Sequence, residues 1–326
     1  MDIWALSDLC TPWCVHVVVT LRIAEHLADG TTQIDDLATA AGAHAESLAR
    51  VLRHLIRKGL FAESAPGQFA LNDNARVLLD PAIRLGLDLD GIGGRMARAW
   101  SSLLVAVETG APAYDEVFGR PFWDDLAAHP HIAASFDALM SPAGHGPPDA
   151  DIPLTGGWDA IRTVVDVGGG TGGLLAEILR AHPTIHGTLV DLPATVERSA
   201  EIFEAAGVAA RATASGQTFF DPLPPGADLY LLKKVLDDWP DREATAILTR
   251  CAEAARPSGR VLVLSGVSPT DPADPELLML VLVGGKDRSL AEFRALAAAA
   301  GLEVQSAGPN AKGRFMVECR PMAVGV

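Results

Sequence analysis

The stretch Val164-Val165-Asp166-Val167-Gly168-Gly169-Gly170-Thr171-Gly172-Gly173 decides how the rest of the chain is read. An apolar, β-branched run ends in an acid, breaks into glycines and re-enters a periodic apolar segment from Leu174 to Leu179. That pattern is strand, tight turn, helix. Glycines let the backbone approach a bulky ligand, and the opening turn of a helix presents free N–H groups. The next strand, Gly187 to Asp191, ends in a second acid about twenty residues on, where a ribose-binding carboxylate belongs.

Gly168, Gly170 and Gly173 satisfy the dinucleotide fingerprint, so a nicotinamide site is the first rival. Two observations oppose it. Asp166 places a carboxylate where a pyrophosphate would be repelled, whereas a cationic cofactor bearing an amino acid, such as S-adenosylmethionine, is compatible with it. The motif also starts mid-chain, after a large α-rich half. No lysine of the P-loop type follows the glycines. A glycine turn without a ligand is the bland alternative, and the acids at both strand ends argue against it.

A chain of 326 residues, 49% hydrophobic and 21% charged, is long enough for two domains and too apolar for whole-chain disorder. Its net charge of −15 argues against nucleic-acid or anionic-membrane partners. Cys10, Cys14, Cys251 and Cys319 lack paired metal spacing; Cys10 and Cys14, one helical turn apart, read as a buried thiol pair, and no metal is expected. The start has no basic segment before an apolar core, and Val15 to Leu21 is too short to span a bilayer. A cytoplasmic, reduced protein is the expectation.

From the amino terminus, residues 1 to about 30 read as one helix, apolar on more than one face, of the kind a second subunit covers. A homodimer follows. Residues 31 to 73 read as helix, turn, helix and hairpin, with Leu48, Val51, Leu52 and Leu55 inward and Pro66-Gly67 at the hairpin tip. That winged-helix layout makes a DNA-binding regulator a rival class. Between Gly59 and Asn74 there is no lysine or arginine, so the wing is bare, and a dimerisation and lid module is the better reading. Aromatics concentrate in 75–150, where Trp100, Phe136 and Met140 are candidates for an apolar acceptor pocket and His145 for a lid residue. Plain core packing or a surface histidine is the bland reading of each.

Beyond Asp159, strands are expected at 163–167, 187–191, 208–213, 228–235 and 260–266, and helices at 173–182, 194–206, 241–256 and 289–300. A closing hairpin follows. This predicts an open α/β, Rossmann-like sheet with an antiparallel end, binding ligands at the carboxyl ends of its strands. The expected domains are 1–150 and 151–326.

Five stretches then carry a resemblance: Asp166 to Gly172, Val190-Asp191-Leu192-Pro193, Phe219 to Pro224, Val235-Leu236-Asp237-Asp238-Trp239-Pro240-Asp241, and Gly284-Gly285-Lys286-Asp287-Arg288-Ser289. In this order they resemble the small-molecule O-methyltransferases of bacterial natural-product and plant phenolic pathways, over nearly the whole chain. The resemblance implies a class I S-adenosylmethionine-dependent methyltransferase fold with an α-helical winged-helix dimerisation domain. It further implies S-adenosylmethionine as cofactor, S-adenosylhomocysteine as product and a small aromatic or polyketide-type acceptor. Gly168 and Gly170 would lie under the amino-acid part, Asp191 and Leu192 at the ribose, Thr218 and Phe219 at the adenine, and Lys233 near the ribose or methionine end. Thr218 stands where Asp is frequent. Met279 joins the acceptor candidates.

The departure is Asp237. Methylating members carry a histidine there, which takes the proton of the acceptor hydroxyl. The supporting acids are exchanged too, with Glu276 where Asp is usual and Asp287 where Glu is usual. Free Asp and His differ by roughly 2.6 pKa units, about 3.5 kcal/mol, so an ordinary aspartate is a poor base toward a phenol. One branch keeps methyl transfer by proximity and alignment. The other uses the fold for cofactor-assisted hydroxylation, decarboxylation or a pericyclic step.

Overall fold

The computed structural model describes residues 2–141, 152–270, 276–310 and 312–323. The chain divides into two compact units that are not contiguous: 1–98 with 126–146, and 99–125 with 147–326. A single boundary near residue 150 therefore differs from the observed division, because the aromatic segment 99–125 packs with the carboxyl-terminal unit.

In the first unit the expected single amino-terminal helix is three: α1 (Ile3–Leu6), α2 (Cys10–Thr20) and α3 (Ile23–Ala28). Arg22 adopts a left-handed φ of 54° between the last two, and the Thr20 hydroxyl donates back to the His16 carbonyl while accepting from Leu89 N. Both break the helical ladder. Helix α4 (Ile34–Ala40), helix α5 (Ala45–Arg57) and the hairpin of β1 (Ala62–Ala65) and β2 (Gln68–Ala70) follow as expected. Val18, Ile23, Leu37, Leu48, Leu52, Leu55 and Phe69 form one core. Ile3, Trp4, Leu6 and Leu9 are instead exposed, Trp4 by 82%. The Ile3–Thr20 stretch is apolar enough by composition to cross a membrane, but it is interrupted around Asp8.

The second unit is built on a seven-stranded sheet. Its strands are β3 (Thr163–Val167), β4 (His186–Asp191), β5 (Ala212–Gly216), β6 (Leu229–Lys233) and β7 (Arg260–Leu264). A two-residue pair, β8 (Val267–Ser268) and β9 (Arg288–Ser289), is separate, and β10 (Leu302–Pro309) and β11 (Phe315–Pro321) close the edge. The order β10-β11-β7-β6-β3-β4-β5 has β3 to β7 parallel and the last two antiparallel, matching the expected α/β sheet with an antiparallel end. Alternation along the strands sends Val165, Tyr230, Leu232, Val261 and Val263 to one face, under the helices Asp241–Ala254 and Leu290–Ala299. Val164, Leu229, Leu231 and Leu262 go to the other, under the helix Gly173–Ala181. Each such aliphatic side chain, fully buried, contributes about 1.5–3 kcal/mol.

Two expected elements differ. The strand placed at 208–213 runs 212–216, because Arg211 donates to the Leu179, His182 and Ile185 carbonyls and holds Ala209–Arg211 as a 3-10 turn. The helix placed at 194–206 is two, Pro193–Val196 and Ser199–Ala205, broken where the buried Ser199 hydroxyl donates to Val196 O.

Tyr230, fully buried in β6, accepts from Ala227 N (3.2 Å), and its hydroxyl lies 2.6 Å from Pro224 O and 2.9 Å from Ala254 O. Tyr230→Phe strands these backbone groups and is expected to cost about 1–3 kcal/mol in urea unfolding. An unchanged midpoint would mean that the loop finds other partners.

Candidate active site

The order of the sheet reverses at β3, which has β4 on one side and β6 on the other. In such sheets the crevice at the carboxyl ends of these strands is the ligand site. Gly168, Gly170 and Gly172 all take positive φ, between 61° and 87°. A Cβ on Gly168 would lie 2.8 Å from Val235 Cγ2 and 3.4 Å from the Phe219 ring, and one on Gly172 would lie 2.8 Å from Phe203. Gly170 differs, since nothing lies within 4 Å of its Cβ position. Its backbone therefore borders open space, as a ligand cradle requires.

Asp191 closes the turn from β4. Its Oδ2 accepts from Gly170 N (2.8 Å), its Oδ1 from Leu192 N (2.7 Å), and its carbonyl from Gln217 N (2.9 Å). One residue thereby fixes the glycine turn and the segment after β5. Thr218 turns its hydroxyl to Phe220 N (3.3 Å), and Phe219 lies beside Gly168. Lys233 ends β6, half-buried.

Asp166 is 1% exposed, and neither of its carboxylate oxygens has a hydrogen-bond partner. Burial pushes its pKa from 3.8 up to about 7; Lys233 works against the rise and Asp191 adds to it. A buried, unpartnered acid beside a glycine turn and a helix amino terminus fits a ligand that brings its own positive charge, such as an amino-acid ammonium group.

Asp237 lies in the 3-10 turn Leu236–Asp238 that follows β6. Its Oδ1 is buried and unpartnered, and burial raises its pKa, with Asp287 adding to the rise and Lys234 and Arg288 opposing it. Asp238 is raised well above the ordinary carboxylate value by burial, Asp237 and Glu276. Asp287 therefore acts on Asp237, and Glu276 acts on its neighbour Asp238. Glu276 takes a left-handed φ of 47° ahead of the helix Leu277–Leu282. That helix carries Met279 and packs against the turn Trp100–Ser102 and the helix Leu103–Thr109, so Trp100 and Met279 are on neighbouring elements. Phe136 and Met140 occur on the helix Pro130–Met140 of the other unit, Met140 exposed; His145 lies outside the described residues.

Sequence reasoning quoted Arg288 within a motif without a role. It is 1% exposed and donates to Leu236 O (2.7 Å), Trp239 O (2.7 Å) and Asp241 Oδ1 (3.0 Å), clamping the turn that bears Asp237. Gly285 packs against the backbone of Asp237 and Asp238, where no side chain fits. Trp239 was also missed. It stacks on Trp123 and meets Phe219 and Phe220 edge-on, joining the segment 99–125 to the glycine turn. The signal was present: a Trp-Pro directly after two acids.

Without a bound cation, the folded chain holds the Asp166 proton up to about pH 7, whereas the unfolded chain releases it near 3.8. The stability present below pH 4 is therefore lost as pH rises through 7. Asp166→Asn removes that term, and between pH 4 and pH 8 it should gain about 2–4 kcal/mol relative to the unliganded wild type. Urea unfolding across that range is the measurement; parallel curves for the two proteins would refute a buried acid.

Comparison with known proteins identifies the family. An O-methyltransferase domain model matches residues 100–303, and an O-methyltransferase dimerisation domain model matches residues 4–81. The 2,7-dihydroxy-5-methyl-1-naphthoate 7-O-methyltransferase of Streptomyces carzinostaticus is 44% identical over 94% of this chain and 93% of its own. Aclacinomycin 10-hydroxylase RdmB of Streptomyces purpurascens is 40% identical over 92% and 83%. Among solved structures, the O-methyltransferase NcsB1 from neocarzinostatin biosynthesis, in complex with S-adenosylmethionine and 2-hydroxy-5-methyl naphthoic acid, superposes with a TM-score of 0.92. It is 42% identical and covers 99% of both chains. The chain belongs to the S-adenosylmethionine-dependent O-methyltransferase family.

Proposed function

We propose that this chain methylates a hydroxyl of a small aromatic natural-product intermediate of the hydroxynaphthoate type, as a cytoplasmic homodimer. The observation that carries the reading is the convergence on one rim of the glycine turn, Asp191, Lys233 and the Asp237 turn, in a chain 44% identical to a naphthoate O-methyltransferase. The exposed apolar residues Trp4, Leu6 and Leu9, inside the dimerisation match, support a second copy as their cover.

The cofactor supplies an electrophilic methyl group on a sulfonium. In this reading Gly168 and Gly170 line its amino-acid part and Asp166 balances the ammonium group. Asp191 and Leu192 hold the ribose, Thr218 and Phe219 border the adenine, and Lys233 lies between them. Asp237 accepts the proton of the acceptor hydroxyl. Its raised pKa narrows the mismatch with a phenol that an ordinary aspartate would show. Burial raises it, and Asp287 adds to the rise by like charge. Trp100 and Met279 contact the acceptor ring.

A second reading has one observation in its favour. A relative 40% identical is a hydroxylase, and here the family's imidazole is replaced by a carboxylate. In that case the substrate is converted without S-adenosylhomocysteine.

Incubation with S-adenosylmethionine and a panel of hydroxynaphthoates, followed by mass spectrometry, separates the two. A product heavier by one methylene unit with equimolar S-adenosylhomocysteine supports the transferase; conversion without S-adenosylhomocysteine refutes it. Asp237→Asn should lower kcat about 10²-fold, with little change in KM for the cofactor. An unaltered kcat would remove Asp237 from the chemistry and leave alignment alone to account for the rate.

A further inference from the structure

Outside the catalytic unit, Cys10, Cys14 and His54 bring their ligand atoms within 4.8 Å of one another. Among the described residues no other group of three or more His, Cys, Asp or Glu converges in this way. The two cysteines are one turn apart on α2 and therefore on one face, and His54 reaches them from α5, which packs on α2. Their sulfurs are 3.9 Å apart. Two thiolates at about 2.3 Å from a tetrahedral zinc ion would be separated by about 3.8 Å, whereas a disulfide needs about 2.05 Å. Cys10 is exposed and Cys14 half-buried, so the buried thiol pair expected from the sequence is not formed. A face open to solvent gives an ion a way in.

The histidine is also held as metal-ligating imidazoles usually are. Its Nε2 lies 2.9 Å from the Thr11 hydroxyl, which donates in turn to Asp8 Oδ2. Such a hydroxyl–carboxylate chain fixes the ring orientation. Asp8 is itself anchored, accepting from Cys10 N (2.8 Å) and Thr11 N (3.3 Å). Sequence spacing alone could not show this, because the third member comes from a helix 40 residues later.

We propose that Cys10, Cys14 and His54 form a binding site for a thiophilic divalent cation of the zinc type, with the fourth tetrahedral position left to water. Binding displaces the thiol protons and ties α2 to α5 inside the dimerisation domain. The site is independent of the methyl-transfer reading.

The test is titration of the reduced full-length protein, stripped with a chelator, with cobalt(II) as a spectroscopic substitute for zinc. One equivalent per chain should produce a thiolate-to-cobalt charge-transfer band and the visible bands of a tetrahedral site, and zinc should abolish both. Cys14→Ser and His54→Gln should lose the tetrahedral spectrum, while Cys251→Ser, in the core of the other unit, should retain it. Absence of a thiolate band in the wild-type protein would overturn the proposal without any variant. So would a band that survives in Cys10→Ser/Cys14→Ser.

Discussion

No side chain can be added at Gly168, Gly169 or Gly172, and the second unit is arranged around that constraint. Val235 and Phe219 fill the space beside the first, the Asp166 carboxylate and Leu189 the space beside the second, and Phe203 the space beside the third. The turn after β3 is therefore gripped from β6, from the segment after β5 and from the helices beyond β4. Gly170 is the member left facing open space, and Asp191 holds its amide from the neighbouring strand. Close packing on three sides and an opening on the fourth make a turn into a cradle. They also isolate Asp166, whose burial is stabilised by no partner of its own and so favours the proton or an incoming cation.

A second constraint positions the chemistry. The turn carrying Asp237 has little regular structure, yet it must present a carboxylate at a defined place. Arg288 supplies the order by donating to Leu236, Trp239 and Asp241 from a buried position, and Gly285 allows the following loop to lie directly on the backbone of 237 and 238. The acids that crowd Asp237 are thus brought in by a scaffold whose own charge is satisfied. Asp237 and Asp287 raise the cost of ionising one another, and Lys234 and Arg288 limit that cost.

The first unit obeys different physics. Its core of Leu37, Leu48, Leu52, Leu55 and Phe69 is complete, yet the amino-terminal turns leave Trp4 and Leu9 in water. Apolar area of this kind is stabilised only when something covers it, which is the logic of an obligate subunit contact. Cys10 lies on that same stretch, so the stiffness of α2 against α5 bears directly on these exposed residues.

Local pattern alone determined a good deal. The continuous apolar runs and the glycine cluster specified the parallel strands and the turn after β3, because each depends on residues adjacent in the chain. The five motifs in order carried the family. Elements governed by long-range bonds were illegible. The third strand moved by four residues because Arg211 reaches back to three carbonyls, and the first helix split where Thr20 accepts from Leu89 N and Arg22 turns left-handed. The boundary at residue 150 was displaced because 99–125 owes its place to Trp123 on Trp239 and to Ala113 bonded to Val281. Tertiary structure alone decided that Asp166 has no partner, that Arg288 is buried and that His54 meets two cysteines. Each of these is a relation between residues distant in sequence, and no single segment encodes it.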